Sequence, residues 1–480
     1  MIATASAAEL TAALRRRDLS SRELLDRYLD RIERLDPRLN AVVTVDADRA
    51  RAEADAADQA AARGAELGPL HGLPVTVKDS IETASLRTTC GTPELAGYVP
   101  ERDATAVARL RAAGAVILAK TNTPAWAGDA QTDNPVFGRT NNPWDPERSP
   151  GGSSGGPAAA VAAGLTGLDL GSDLGGSIRM PAGYCGVYGL RPSYGLIPLR
   201  GHLPPPPGTR AGIDMATLGP LARSADDLAI VLAALAGPDD ARAVGWRLTL
   251  PPPRADSLTG YRVAAWLDDP ACPVDGAVLD VLAAAVEALR RAGVTVDDRV
   301  RPADLGESAR LFQDLVQPLA GAALPQPDFD ALTALAGDPA APATPRREWA
   351  GRVTARVRDW VSAHERRLAV AADWARLFRH YDVLLCPVTP TTALPHDDTP
   401  DPDRRRIHVN GRAVPYWDQV RWVQAVATVR LPAAAVPVGL AGGLPVGLQI
   451  VGPYLEDRTV IDFSRRLAEV TGGYRPPPGY

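Results

Sequence analysis

Two glycine-rich serine segments constrain this chain more than any other feature of it. The first reads Pro150-Gly151-Gly152-Ser153-Ser154-Gly155-Gly156, the second Ser172-Asp173-Leu174-Gly175-Gly176-Ser177-Ile178-Arg179. Glycine at this density destabilises helix and strand interiors, so both segments read as loops whose backbone approaches something closely. Backbone without side chains can aim several N–H groups at one point, as a carbonyl oxygen gaining negative charge requires. A lone lysine lies upstream, at the end of the apolar run Leu73-Pro74-Val75-Thr76-Val77-Lys78-Asp79. Burial there would penalise its ammonium, lowering a pKa of about 10.4 by as much as ~3–5 units. A lysine stripped of its proton can activate a hydroxyl. Two serines and one lysine suggest a serine hydrolase that does not use histidine.

Further motifs follow in order. They are Gly72-Leu73-Pro74, Lys120-Thr121-Asn122, Asn134-Pro135 with Phe137-Gly138, Thr140-Asn141-Asn142-Pro143-Trp144, Cys185-Gly186-Val187, and Gly443-Leu444-Pro445-Val446-Gly447-Leu448-Gln449. Together with the serine loops this set resembles the amidase signature family, over about residues 70–453, with a less recognisable middle from about 239 to 381. One departure is Pro157, where the family usually has a small or acidic residue. Proline is accepted in the first turn of a helix, so a helix can still open there.

The resemblance implies one large α/β domain over residues 1–480, with a central twisted, mixed and largely parallel sheet covered by helices on both faces. Residues 1–65 would form a helical arm, 70–235 the signature core, 236–380 a more variable helical region, and 381–480 the part completing the sheet. It implies Ser177 as nucleophile, Lys78 as base, and Ser153, following a cis peptide bond from Gly152, as proton relay. The N–H groups of Leu174, Gly175 and Gly176, with that of Ser177, would form the oxyanion hole; the glycines at 175 and 176 support this independently. Ala127, Asp129 and Gln131 would lie along the substrate pocket, although Asp129 and Gln131 could equally cap a turn. Ser154 would support its loop by hydrogen bonding, and Asp173 and Arg179 would hold the nucleophile loop as a buried ion pair. The expected substrates are a small-molecule carboxamide and water, with esters, anilides and carbamates as extensions, and neither metal nor cofactor.

Composition agrees with a soluble enzyme. Of the 480 residues 45% are hydrophobic and 23% charged, ordinary values for a globular chain. A net charge of −5 leaves no basic footprint for nucleic acid. The runs Arg15-Arg16-Arg17 and Arg404-Arg405-Arg406 read as solvated faces. Cys90, Cys185, Cys272 and Cys386 lack Cys-x-x-Cys spacing, which argues against disulfides and zinc and for a reducing compartment. No signal-peptide pattern and no apolar window near 18 residues is visible, so the expectation is a cytoplasmic chain with no membrane partner.

Residues 20–35 show helical periodicity with Ser20 and Glu23 at capping-box spacing, and an Ala-rich helix follows at 46–62. These read as an arm over the core, with a homodimer contact as the rival use. Residues 75–77 and 116–118 read as buried strands separated by a helix at 105–113, the order of a parallel doubly wound unit. Residues 204–208 are a proline-stiffened loop, 226–235 and 274–292 amphipathic helices, 324–347 an irregular excursion, and 349–378 a long helix. Asn410-Gly411 between two short strands signals a type I′ hairpin. Tyr184, Trp417 and Trp422 read as core, with an apolar cavity lining as the alternative.

Three rivals compete. Gly151-x-Ser153-x-Gly155 and Gly152-x-Ser154-x-Gly156 both fit a nucleophile elbow, for which His364, His380, His396 or His408 would serve as base; that leaves Lys78 and the second serine loop unexplained. The glutamyl-tRNA amidotransferase A-type subunit shares the signature, but its Tyr-rich segment is replaced here by the Arg/Ala-rich residues 349–378, which favours a stand-alone hydrolase. A phosphate-cradling binding module lacks the expected Gly-Lys-[Ser/Thr].

Overall fold

A computed structural model describes residues 2–480. Its sheet begins with β1 (Val42–Val45), β2 (Pro74–Lys78), β3 (Val116–Thr121) and β4 (Asp169–Asp173). β2 runs parallel to β3 on one side and to β4 on the other, and the helix Thr105–Ala112 makes the crossover between β2 and β3. All residues of β2, β3 and β4 are buried, as strands paired on both edges and covered on both faces must be.

The chain continues through β5 (Tyr188–Arg191), β6 (Thr217–Ala222), β7 (Val263–Ala265), β8 (Val296–Asp297) and β9 (Val383–Pro387). Beyond the separate hairpin of β10 (Arg406–Val409) and β11 (Arg412–Pro415), it closes with β12 (Ala433–Ala441) and β13 (Leu444–Val451). Eleven strands make one sheet in the order β1-β3-β2-β4-β6-β5-β12-β13-β9-β7-β8. The sheet is mixed: parallel pairings link β2 with β3 and β4, and β7 with β8 and β9. Antiparallel pairings through β6, β5, β12 and β13 join the two parallel groups. Helices flank this sheet in a single large α/β domain.

The capping box at Ser20 and Glu23 forms as read and starts the helix Ser21–Leu35. Leu24, Leu25 and Tyr28 of that helix are fully buried, and Ser21 Oγ donates to Gly72 O at 2.7 Å. The arm also supplies the edge strand β1 and an additional helix, Ala7–Arg16. Asn410 and Gly411 both take positive φ, and Val409 pairs with Arg412, so the two-residue hairpin turn is as expected. Among the described residues no helix is long and apolar enough to cross a membrane.

Two readings need correction. Residues 324–347 are not an irregular excursion: the helix Gln326–Gly337 occupies half of them, and the helix Pro345–Val353 starts at their end. Leu332, Ala350 and Val353 form a small apolar cluster between the two, which stabilises helices whose own periodicity is weak. Residues 349–378 are not one helix, because the chain breaks at Thr354 before the helix Val357–His380.

Candidate active site

β2 delivers Lys78 to the end of a fully buried strand. Its Nζ donates to Ser153 Oγ at 2.6 Å and to Ser172 Oγ at 3.0 Å. Burial pushes the lysine down to about 7, against the opposing influence of Cys90, Asp173 and Asp169. Among the described residues no carboxylate lies within ion-pair distance of Nζ. Burial pushes the Cys90 thiol up to about 12, so it stays neutral, and raises Asp169 to about 6, with Thr76 and Thr121 hydroxyls donating to its Oδ2. Asp173 is already neutralised by arginine.

The two serine loops are stitched together. Ser154 N donates to Ser177 O at 3.1 Å, and Ser154 Oγ donates to Ser172 O at 3.2 Å. The Gly152–Ser153 peptide is cis. Glycine is required at 152 because a Cβ there would lie 2.5 Å from Asp129 O. Ser177 follows β4 at the entry to the helix Arg179–Cys185 and is half-buried. Its hydroxyl makes no hydrogen bond among the described residues, unlike that of Ser153.

Asp173 organises the loop that carries Ser177. Arg179 Nε donates to its Oδ2 at 3.0 Å, Arg191 NH1 to its Oδ1 at 3.1 Å, and Ile178 N to Oδ2 at 3.1 Å. Burial alone would raise this carboxyl, but the two guanidinium groups hold it well below the usual carboxylate range. Gly176 N also donates to Asp173 Oδ1, at 2.9 Å. That N–H is therefore committed to the loop, whereas those of Leu174, Gly175 and Ser177 have no acceptor among the described residues. Gly176 sits at φ 117°, and a Cβ there would lie 2.3 Å from Val423 Cγ2.

The segment 127–131 lies against Gly152, and its polar side chains are satisfied internally. Asp129 accepts from Arg405 NH1 at 2.7 Å and from Tyr416 OH at 2.7 Å, while Gln131 exchanges two hydrogen bonds of 2.9 Å with the Asp397 backbone. Ala127 is half-buried, in the left-handed region at φ 53°. Arg405 corrects the reading of its arginine run as a solvated face, since it is buried while Arg404 and Arg406 are exposed. Trp422 is core, edge-on to Trp266 at 5.0 Å, and Tyr184 is buried with its hydroxyl donating to Gln419 Oε1 at 3.3 Å.

A cavity of about 650 Å³ beyond this segment is lined by Gln131, Ser149, Tyr184, His396 and Tyr416, but not by Lys78, Ser153 or Ser177. Among the described residues no histidine hydrogen-bonds any of the serines 153, 154 or 177, and no group of three or more His, Cys, Asp or Glu is arranged to hold a metal. Sequence reasoning missed Ser172 as a partner of Lys78, although it lies inside a quoted motif. It also missed Arg405 and Tyr416, which no local pattern links to Asp129.

A family model described as Amidase matches residues 23–461. Over 496 residues the chain is 34% identical to the glutamyl-tRNA(Gln) amidotransferase A-type subunit of Roseiflexus sp. (strain RS-1), covering 97% of this chain and 96% of that relative. It superposes with a TM-score of 0.83 and 28% identity on a chain of an inhibitor-bound vestigial protein complex that reveals the evolutionary origins of an s-triazine catabolic enzyme, covering 98% and 100% of the two chains. A bacterial aryl acylamidase of the amidase signature enzymes gives a TM-score of 0.81 at 26% identity, covering 98% and 96%. With sequence, fold and the family model in agreement over nearly its whole length, this chain belongs to the amidase signature family of enzymes acting on carbon–nitrogen bonds.

Proposed function

We propose that the chain is an amidohydrolase that cleaves small-molecule carboxamides through an acyl-enzyme on Ser177. The observation that carries this reading is the 2.6 Å contact between Ser153 Oγ and a lysine that burial brings down to about 7. Neutral Lys78 takes the Ser153 proton as Ser153 takes that of Ser177. Ser177 Oγ then bonds to the carbonyl carbon, and the carbonyl π pair moves onto oxygen. The N–H groups of Leu174, Gly175 and Ser177 receive that oxyanion; losing one such donor costs about 10²–10³ in rate. The proton returns through Ser153 to the leaving nitrogen as the C–N bond breaks. Water then attacks the ester by the same relay and releases the acid.

A second reading keeps this chemistry and changes the fate of the nitrogen. The 34% identity to a glutamyl-tRNA(Gln) amidotransferase A-type subunit over 97% of the chain supports a role releasing ammonia from an amide for transfer within a complex. In favour of the stand-alone reading, residues 345–380 form two Arg- and Ala-rich helices in place of the Tyr-rich segment expected of that subunit. The two are separated by assaying the purified chain alone against aryl, alkyl and carbamate substrates. Turnover without a partner supports the hydrolase. Activity that appears only with a second protein chain, glutamine and charged tRNA supports the amidotransferase.

A further inference from the structure

Two side chains press on Gly175, one apolar and one polar. A Cβ at Gly175 would lie 2.8 Å from Phe312 Cζ and 3.5 Å from Gln424 Cγ, so both side chains are pressed against the loop. Phe312, on the helix Leu305–Gly321, anchors an apolar cluster onto which the half-buried Leu174, Val316 and Trp360 pack. Gln424 is only 7% exposed, yet its side-chain amide makes no hydrogen bond among the described residues. Neither amide atom belongs to the fully enclosed unpaired polar atoms, so the group faces an opening rather than packed core. A largely buried amide without a partner is unfavourable unless a ligand supplies one.

The charged groups flanking the loop are already paired. Asp173 is held by Arg179 and Arg191, Asp129 by Arg405, and Asp214 by Arg367 and Arg430. A zwitterionic amide needs a free cation and a free carboxylate, which these pairs do not offer.

Geometry also orients the substrate. The leaving nitrogen must face Ser153 to receive its proton and the carbonyl oxygen must face the backbone donors, so the acyl group takes the remaining direction, for which the neighbours of Leu174 and Gly175 are the available walls. We propose that Phe312, Leu174, Val316 and Trp360 form an acyl subsite for an uncharged aryl or branched-alkyl group, and that Gln424 orients the substrate by hydrogen bonding to a neutral polar group on it. This rests on Ser177 being the nucleophile.

The test is a series of 4-nitroanilides with acetyl, isobutyryl, benzoyl and phenylacetyl groups, beside ammonia release from L-glutamine. The wild type should favour the larger acyl groups by about tenfold or more in kcat/KM over acetyl, a range typical of apolar pockets, and turn over glutamine slowest. Gln424→Leu, similar in size but unable to hydrogen-bond, should lose about tenfold in kcat/KM, mostly through KM, as expected for one lost hydrogen bond. Phe312→Leu, a milder change than alanine in a packed cluster, should flatten the acyl preference while a small fluorophosphonate still labels Ser177. A preference for glutamine or acetyl, or an unchanged Gln424→Leu enzyme, with Ser177 still labelled, would overturn this inference alone. Absence of wild-type Ser177 labelling would overturn both it and the nucleophile assignment.

Discussion

Lys78 Nζ donates to Ser153 Oγ at 2.6 Å and, among the described residues, has no carboxylate within ion-pair distance. Its other hydrogen-bond partner is Ser172 Oγ, at 3.0 Å. A buried amine surrounded by hydroxyls is free to lose its proton, whereas one paired to a carboxylate would keep it.

Activity should therefore rise with pH through one deprotonation near the value of about 7 that burial sets for Lys78. Stability follows the same group with a definite sign. Between about 7 in the folded chain and 10.5 in the unfolded one, the unfolded state holds more protons, so this residue's contribution to stability grows as pH rises and is lost as pH falls toward 7. Denaturation of Lys78→Met across that window should show a shallower pH slope than wild type. An identical slope in both would mean that Lys78 stays charged.

Ser153→Ala should lose about 10²–10⁴ in kcat, the usual contribution of a positioned proton carrier. Ser172→Ala should cost much less, about tenfold, because Ser172 only accepts a hydrogen bond from Nζ. Removing that acceptor disfavours the ammonium, so the rising limb of the pH–rate profile should move to lower pH. A limb that does not move would remove Ser172 from the control of Lys78.

Asp173→Asn leaves two fully buried arginines without their counter-charge. Breaking a buried ion pair from one side typically costs about 3–5 kcal/mol, which urea or guanidinium titration would detect. A loss under about 1 kcal/mol would show that Arg179 and Arg191 have alternative partners.

Gly176→Ala meets two obstacles at once, a positive φ of 117° and a Cβ 2.3 Å from Val423 Cγ2. The loop must shift, moving Ser177, so turnover should fall by at least about 10², the scale set by losing an oxyanion donor. A circular dichroism spectrum and melting temperature near wild type would separate a misplaced Ser177 from a misfolded chain.

The parts of the fold built from local pattern were legible. β-branched runs and capping residues located β2, β3 and the helix Ser21–Leu35, and Asn410-Gly411 located a hairpin. The antiparallel centre of the sheet was not readable, because the β5–β12 and β9–β13 pairings join strands far apart in the chain. The helices Gln326–Gly337 and Pro345–Val353 were hidden by proline and alanine, since their stability comes from the cluster at Leu332 and Val353 rather than from periodicity. In the site, motifs led to Lys78 and both serine loops, but not to contacts spanning hundreds of residues. Arg405 reaching Asp129, and Phe312 and Gln424 reaching Gly175, have no signature in any short stretch.

The central claim is that Ser177 alone carries the covalent intermediate. Incubation with a fluorophosphonate, followed by digestion and peptide mass mapping, measures this directly. One adduct per chain on the peptide containing Ser177, absent in Ser177→Ala and slower below pH 7, is the predicted result. An adduct on Ser153 or Ser154 that survives Ser177→Ala would contradict it.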